Sequence, residues 1–134
     1  MTGIPLQTAT LPDDYTVLAP DGSEIRELVQ TSKGSLVHCT LPPGAVSCPV
    51  SHRTVDEVWY FISGYGQVWR KSDRDEAVTD VERGISLTIE TGTHFQFRNV
   101  SSDEPLTFII TTMPPWPGHD EAYPVPGRWP FDNA

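Results

Sequence analysis

The sequence predicts an all-β domain, a sandwich or barrel of short strands followed by an extended proline-rich arm. Three observations carry this expectation. The middle of the chain holds short apolar or alternating runs bounded by turn residues, and no stretch keeps a helical period over three turns. The 13 prolines avoid that middle, since six follow Met113 and only Pro105 lies between Pro49 and Pro114. A length of 134 residues is enough for one buried core and too short for two conventional domains.

In chain order, residues 1–30 read as a lead-in with one or two edge strands, at 15–18 and 25–29. Residues 31–113 read as the barrel, with strands at 35–41, 57–63, 67–70, 77–81, 85–89, 95–100 and 106–112. The gaps between them carry turn formers: Pro42-Pro43-Gly44, Ser63-Gly64-Tyr65-Gly66, Lys71-Ser72-Asp73-Arg74, Glu82-Arg83-Gly84 and Thr91-Gly92-Thr93. In Glu57-Val58-Trp59-Tyr60-Phe61-Ile62 both parities are bulky, so one face of that strand is expected against a second sheet or subunit. Residues 114–134 form the arm, where Trp116, Tyr123, Trp129 and Phe131 alternate with prolines. Proline excludes a central strand or regular helix there, and four large rings are costly to leave in water, so the arm is expected to pack on the barrel.

Composition narrows the function classes. Eighteen acidic and nine basic residues give a net charge of −9, a field that repels phosphate backbones and anionic lipid. Nucleic acid and membrane are therefore not expected partners, and the longest apolar stretch, 58–62, is far below the ~20 residues of a membrane span. The N-terminus carries no basic-then-apolar leader. Cys39 and Cys48 make neither a disulfide scaffold nor a zinc-ribbon spacing, which suits a reducing cytoplasm.

The residues that carry chemistry concentrate in two segments. Gly44, His52, Glu57 and Gly64 fit a pattern of Gly, five residues, His-x-His, four residues, Glu, six residues, Gly, except that Val50 stands at the first His. Gly84, Gly92 and Asn99 fit Gly, five residues, Pro-x-Gly, two residues, His, three residues, Asn, with Glu90 at the Pro and Phe95 at the His. At these residues the chain resembles the cupin superfamily, over roughly 35–113 and through the segment 21–26. The resemblance implies a cupin-type jelly-roll barrel with a ligand pocket inside. It also implies a homodimer through a sheet face, for which the strand around Val58 is suited.

The departures bear most on function. Val50 and Phe95 can neither coordinate a metal nor transfer a proton, so the family's three-His, one-carboxylate shell cannot be assembled from the family positions. His52, Glu57 and His94 would still supply the two-His, one-carboxylate donors of a site for one divalent transition metal (iron, manganese, nickel or zinc) supporting oxygenase or isomerase chemistry. Pleat parity opposes this, because His94 and Gln96 point outward if Phe95 and Phe97 point inward. Cys48 is a weaker donor candidate, since a small lone Cys is more often packing. Without a cofactor, His52 and Glu57 form a catalytic pair for acid and base work, the plainer alternative being a buried salt link. Val50, Trp59, Phe61, Phe95 and Phe97 would line the cavity for an apolar or aromatic substrate, with His38 either sharing that face or solvated. Arg53, Arg98 and Tyr60 are expected to face outward, and His119 either closes over the pocket or is surface. Three functions follow: an enzyme running cyclisation, isomerisation or elimination on His52 and Glu57; the metal-dependent oxygenase or isomerase; and a binding module without turnover.

Overall fold

The computed structural model describes residues 5–131. The outermost residues of the lead-in and arm, 1–4 and 132–134, lie outside the described residues. Among the described residues the strands are β1 (Val17–Leu18), β2 (Glu24–Gln30), β3 (Ser35–Leu41), β4 (Val50–His52), β5 (Asp56–Ser63), β6 (Tyr65–Lys71), β7 (Glu76–Glu82), β8 (Ser86–Ile89), β9 (His94–Asn99), β10 (Leu106–Met113) and β11 (Ala122–Pro124). One 3-10 turn, His119–Glu121, precedes β11. The expected all-β architecture is present as two antiparallel sheets, ordered β1-β2-β3-β10-β5-β8 and β11-β4-β9-β6-β7.

Strands with clear alternation fall where the sequence puts them, β3 at Ser35–Leu41 being the plainest case. β5 buries Glu57, Trp59 and Phe61 and exposes Asp56, Val58 and Tyr60, so its two bulky parities are one core face and one open face. The turn after β5 requires glycine: Gly64 has φ +87°, and a Cβ there would collide with the Pro105 carbonyl. β4 and β11 were not expected as strands. Each has three residues, too few to show a period, and they pair with one another as Ala122 with His52, Tyr123 with Ser51 and Pro124 with Val50. The proline is tolerated because β11 is the outer strand of its sheet.

Between the sheets the barrel is solid at one end. Trp59, Phe61, Phe97 and Phe108 form a ring cluster, with Phe108 4.6 Å from Phe61, 4.7 Å from Trp59 and 5.4 Å from Phe97. Leu41 and Leu106 close it from either side of the β3–β10 pairing. Each such ring contributes about 2 to 3 kcal/mol of gross burial.

The segment after Met113 crosses the barrel's mouth and then its outer surface. The Trp116 amide donates to Ser35 Oγ at 3.3 Å, β11 adds to β4, and residues 127–129 lie over β9. Gln96, on the outward face of β9, is fully buried beneath them. Its Oε1 accepts from the Arg128 and Trp129 amides at 2.9 Å, and its Nε2 donates to the Ser47 and Trp129 carbonyls at 3.0 Å. Outward parity therefore does not mean solvation at Gln96. Gly127 permits the close approach, since a Cβ there would come within 2.6 Å of the Pro49 ring and 2.7 Å of Gln96 Oε1.

Candidate functional site

The other end of the barrel is hollow. A cavity of about 330 Å³ opens there, walled by β4, β5, β9 and β10, by the N-terminal strands, and by the segment around Trp116. Val50, His52, Glu57, Trp59 and Phe95 all line it. Register explains the grouping: Val50 lies opposite Phe95 across β4 and β9, and Glu57 lies opposite Thr112 across β5 and β10.

His52 is 4% exposed and held by rings, with Phe95 at 5.1 Å and Trp116 at 5.4 Å, both edge-on. Its Nδ1 is buried without a hydrogen-bond partner. Burial pushes the imidazole pKa down to about 4, against an opposing pull from Glu121, so His52 is neutral at pH 7.

Glu57 is 6% exposed. Thr112 Oγ1 donates to its Oε2 at 2.7 Å and Trp59 Nε1 to its Oε1 at 3.0 Å. Burial pushes its carboxyl up to about 7; those two bonds pull it down, while Asp21 and Glu121 add to the rise. The Glu57 oxygens are bonded to Thr112 and Trp59 and not to His52, so the two share a cavity and not a salt link.

Two more carboxyls stand nearby. Asp21 lines the cavity and is raised by burial, partly offset by the Ser23 hydroxyl and amide, which donate to its Oδ1 at 2.6 and 2.9 Å. Glu121 is buried in a cradle of donors: Thr54 Oγ1 and N at 2.6 Å and Val55 N at 3.0 Å. Burial alone would raise Glu121, but these bonds and nearby His52 hold it below its usual value.

Several expected site residues lie elsewhere. Phe61 and Phe97 do not line the cavity; they have the right parity but sit further along their strands, in the ring cluster. His38 is on the opposite face of β3 from buried Cys39, paired with Arg26 and Ile109 outside the barrel, and its pKa is lowered by burial and by Arg26. His94 sits opposite Ser51 and Lys71, with parity opposite to Phe95, and it too is absent from the cavity wall. The set His52, Glu57 and His94 is therefore not brought together. Among the described residues no three His, Cys, Asp or Glu side chains are placed to hold a metal ion. The residues present do not fit one, because apolar Val50 and Phe95 occupy the wall beside His52. Cys48 bonds the Pro49 carbonyl, at 3.7 Å, and does not reach the cavity.

The outward arginines hold the C-terminal segment. Arg53 stacks on Tyr123 at 4.6 Å and donates to the Asp120 carbonyl at 2.8 Å, and Arg98 stacks on Trp129 at 4.3 Å. His119 is exposed at the cavity mouth. Thr112, Asp21, Trp116 and Glu121 were missed as site residues. Asp21-Gly22-Ser23 reads as a turn, and the other three become site residues only through strand register or the path of the C-terminal segment.

A model of the cupin domain matches residues 37–112. An uncharacterized protein of Methanocaldococcus jannaschii is 27% identical over 108 residues, covering 77% of this chain and 82% of that protein. KdgF from a Halomonas species superposes with TM-score 0.64 at 17% identity, over 79% of this chain and 94% of that one. Oxalate decarboxylase from Bacillus subtilis, a protein with Mn(II) centres, superposes with TM-score 0.75 at 17% identity, over 93% of this chain and 33% of that one. At these identities the solved structures show a shared fold.

Proposed function

The chain belongs to the cupin domain family, and on that footing we propose that it is a small-molecule enzyme running proton-transfer chemistry in the barrel cavity. Cyclisation, isomerisation and elimination are the reactions that such chemistry serves. The observation that carries this reading is Glu57, a buried cavity carboxyl with a pKa of about 7, beside an imidazole that stays neutral. Environments that push two titratable groups in opposite directions are how one site keeps an acid and a neutral hydrogen-bonding partner at the same pH. Near pH 7 Glu57 is present in both forms, so it can take a proton from substrate and return it. Trp59 Nε1 and Thr112 Oγ1 fix the carboxyl plane while it does so. Neutral His52 lines the same wall and can accept or donate one hydrogen bond to a bound polar group. Trp59, Phe95 and Val50 suit an apolar or aromatic body on that substrate.

Exchange of carbon-bound hydrogen for solvent deuterium, followed by NMR over a panel of small aryl and cyclic ketones and amines, tests this. Glu57→Gln should slow the exchange at least ~100-fold with the fold intact by circular dichroism. Unchanged exchange would refute the assignment.

A homodimer belongs to the same reading. Val58 and Tyr60 are 45% and 51% exposed on the open face of β5, beside Ile109, and support pairing through the outer face of the larger sheet. The free thiols of Cys39 and Cys48 suit a reducing cytoplasm. No helix among the described residues is long and apolar enough to cross a membrane.

A further inference from the structure

The cavity wall carries acids and no base of comparable strength. Asp21 and Glu57 line it and Glu27 stands at its exposed edge, while among the described residues no lysine or arginine lines it. Glu121, just behind His52, adds a fourth carboxylate to the surroundings. Four aromatic faces stand around the same space: His52, Phe95, Trp59 and Trp116, with Trp59 5.6 Å from Phe95. His52, 96% buried as 4% exposure implies, lines this space, and its enclosed Nδ1 has no partner in the protein. An imidazole so little satisfied by the protein suits a ligand that carries a polar group.

Building on the proton-transfer reading, we propose that the cavity takes a small organic cation, an ammonium on an aryl or alkyl body, and rejects carboxylates and phosphates. An anion would meet Asp21 and Glu57 with nothing to offset it, and like charges in a site of low dielectric strongly disfavour binding. An ammonium gains on both counts. It pairs with the carboxylates, and ring faces attract a desolvated cation, as aromatic cages do. About 330 Å³ holds on the order of ten non-hydrogen atoms at ~30 Å³ of liquid volume each, which limits the body to one ring or a short chain. A metal ion is the competing cation, and the lack of three convergent donors argues against it.

The groups facing Glu57 are Asp21, Glu121 and the Cys39 thiol, with His52, Glu27 and His119 on the same wall. Because Glu57 titrates near 7, a cation that needs it ionised binds about tenfold more weakly at pH 6 than at pH 8. Calorimetry on the full chain with benzylammonium, benzyl alcohol and benzoate, matched in size and different in charge, is the test. Benzylammonium should bind at least tenfold more tightly than the alcohol at pH 8, benzoate should not bind, and Glu57→Gln should erase both the charge preference and the pH dependence. Asp21→Asn, which leaves the Thr112 and Trp59 contacts in place, should reduce the preference and serves if Glu57→Gln fails to fold. Benzoate binding as well as benzylammonium, no binding by any probe, an unaltered preference in both variants, or displacement of the probe by one equivalent of Mn²⁺ would overturn the inference. Benzoate binding while Glu57 titrates near 7 defeats the ligand class alone. Glu57 titrating near its ordinary value while benzylammonium binds defeats the proton-transfer reading alone.

Discussion

Replacing Glu57 by Gln removes a group whose ionisation destabilises the folded chain, and the size of that effect follows from the cavity. The carboxyl is at 4.5 when solvated and at about 7 in the fold, and at ~1.4 kcal/mol per pH unit the gap is about 3 kcal/mol. Between those values the folded state keeps a proton that the unfolded chain has lost, so the Glu57 contribution to stability falls as pH rises. It is most favourable below about 4.5 and fully lost above about 7. Gln has no such window. Urea unfolding of both proteins from pH 4 to pH 8 gives two stability curves, and their difference cancels every group they share. The wild-type advantage over Glu57→Gln should shrink by about 3 kcal/mol across that range, with most of the change between pH 5 and pH 7. His52 produces the opposite slope, since its folded pKa of about 4 lies below 6.5 and its contribution is lost as pH falls through that interval. The Glu57 and His52 contributions thus nearly cancel from pH 5 to pH 6, and in the variant the rise that His52 imposes is no longer opposed by Glu57. Parallel curves for the two proteins would refute the buried-acid reasoning, because they would mean that Glu57 titrates alike in both states.

Trp116→Ala removes a ring 5.4 Å from His52 and admits water, so the His52 pKa should climb from about 4 toward 6.5, read by NMR titration of the ring protons. Gly127→Ala puts a methyl against Pro49 and Gln96, and should lower stability by about 1 to 3 kcal/mol and speed proteolysis within residues 114–131. The pair Val50→His with Phe95→His places two imidazoles opposite one another beside His52 and Glu57; the double variant should take up one equivalent of Mn²⁺ by metal analysis after dialysis, and the wild type none. Tyr60→Glu puts a charge on the open face of β5 and should convert a dimer to a monomer by light scattering, with the cavity and its binding properties unchanged.

How far the sequence reached depends on how local each feature is. β3 and β5 are legible because seven or eight residues of alternation mark both the strand and its buried face. β4 and β11 are not, because a three-residue strand has no measurable period and exists only through its partner. Val50, His52, Glu57, Trp59 and Phe95 were legible as one wall, since fixed spacing between two motifs places them on facing strands. Phe61 and Phe97 show the limit of that logic. Parity gives the face of a strand, but not how far along it the hollow extends, and ring volume fills the barrel before those positions are reached. Trp116 and Glu121 were beyond reach for another reason. They act through a segment more than 50 residues from His52 in sequence, joined to it by the Thr54 and Val55 bonds to Glu121.

Val50 and Phe95 do more than subtract metal donors. At the family positions they put a methyl-bearing side chain and a ring where two imidazoles would stand, so the wall beside His52 and Glu57 becomes dry. A dry wall disfavours charge, and both titratable groups respond according to their sign: Glu57 rises and His52 falls. With a metal ion coordinated at that wall, the carboxyl would be spent as a ligand and could not carry a proton near neutrality. Without one, and with Asp21 and Glu121 close by, it is the group on the cavity wall best placed to do so. The two residues that take the place of metal donors therefore add apolar surface to the same cavity wall on which burial raises Glu57 to about 7.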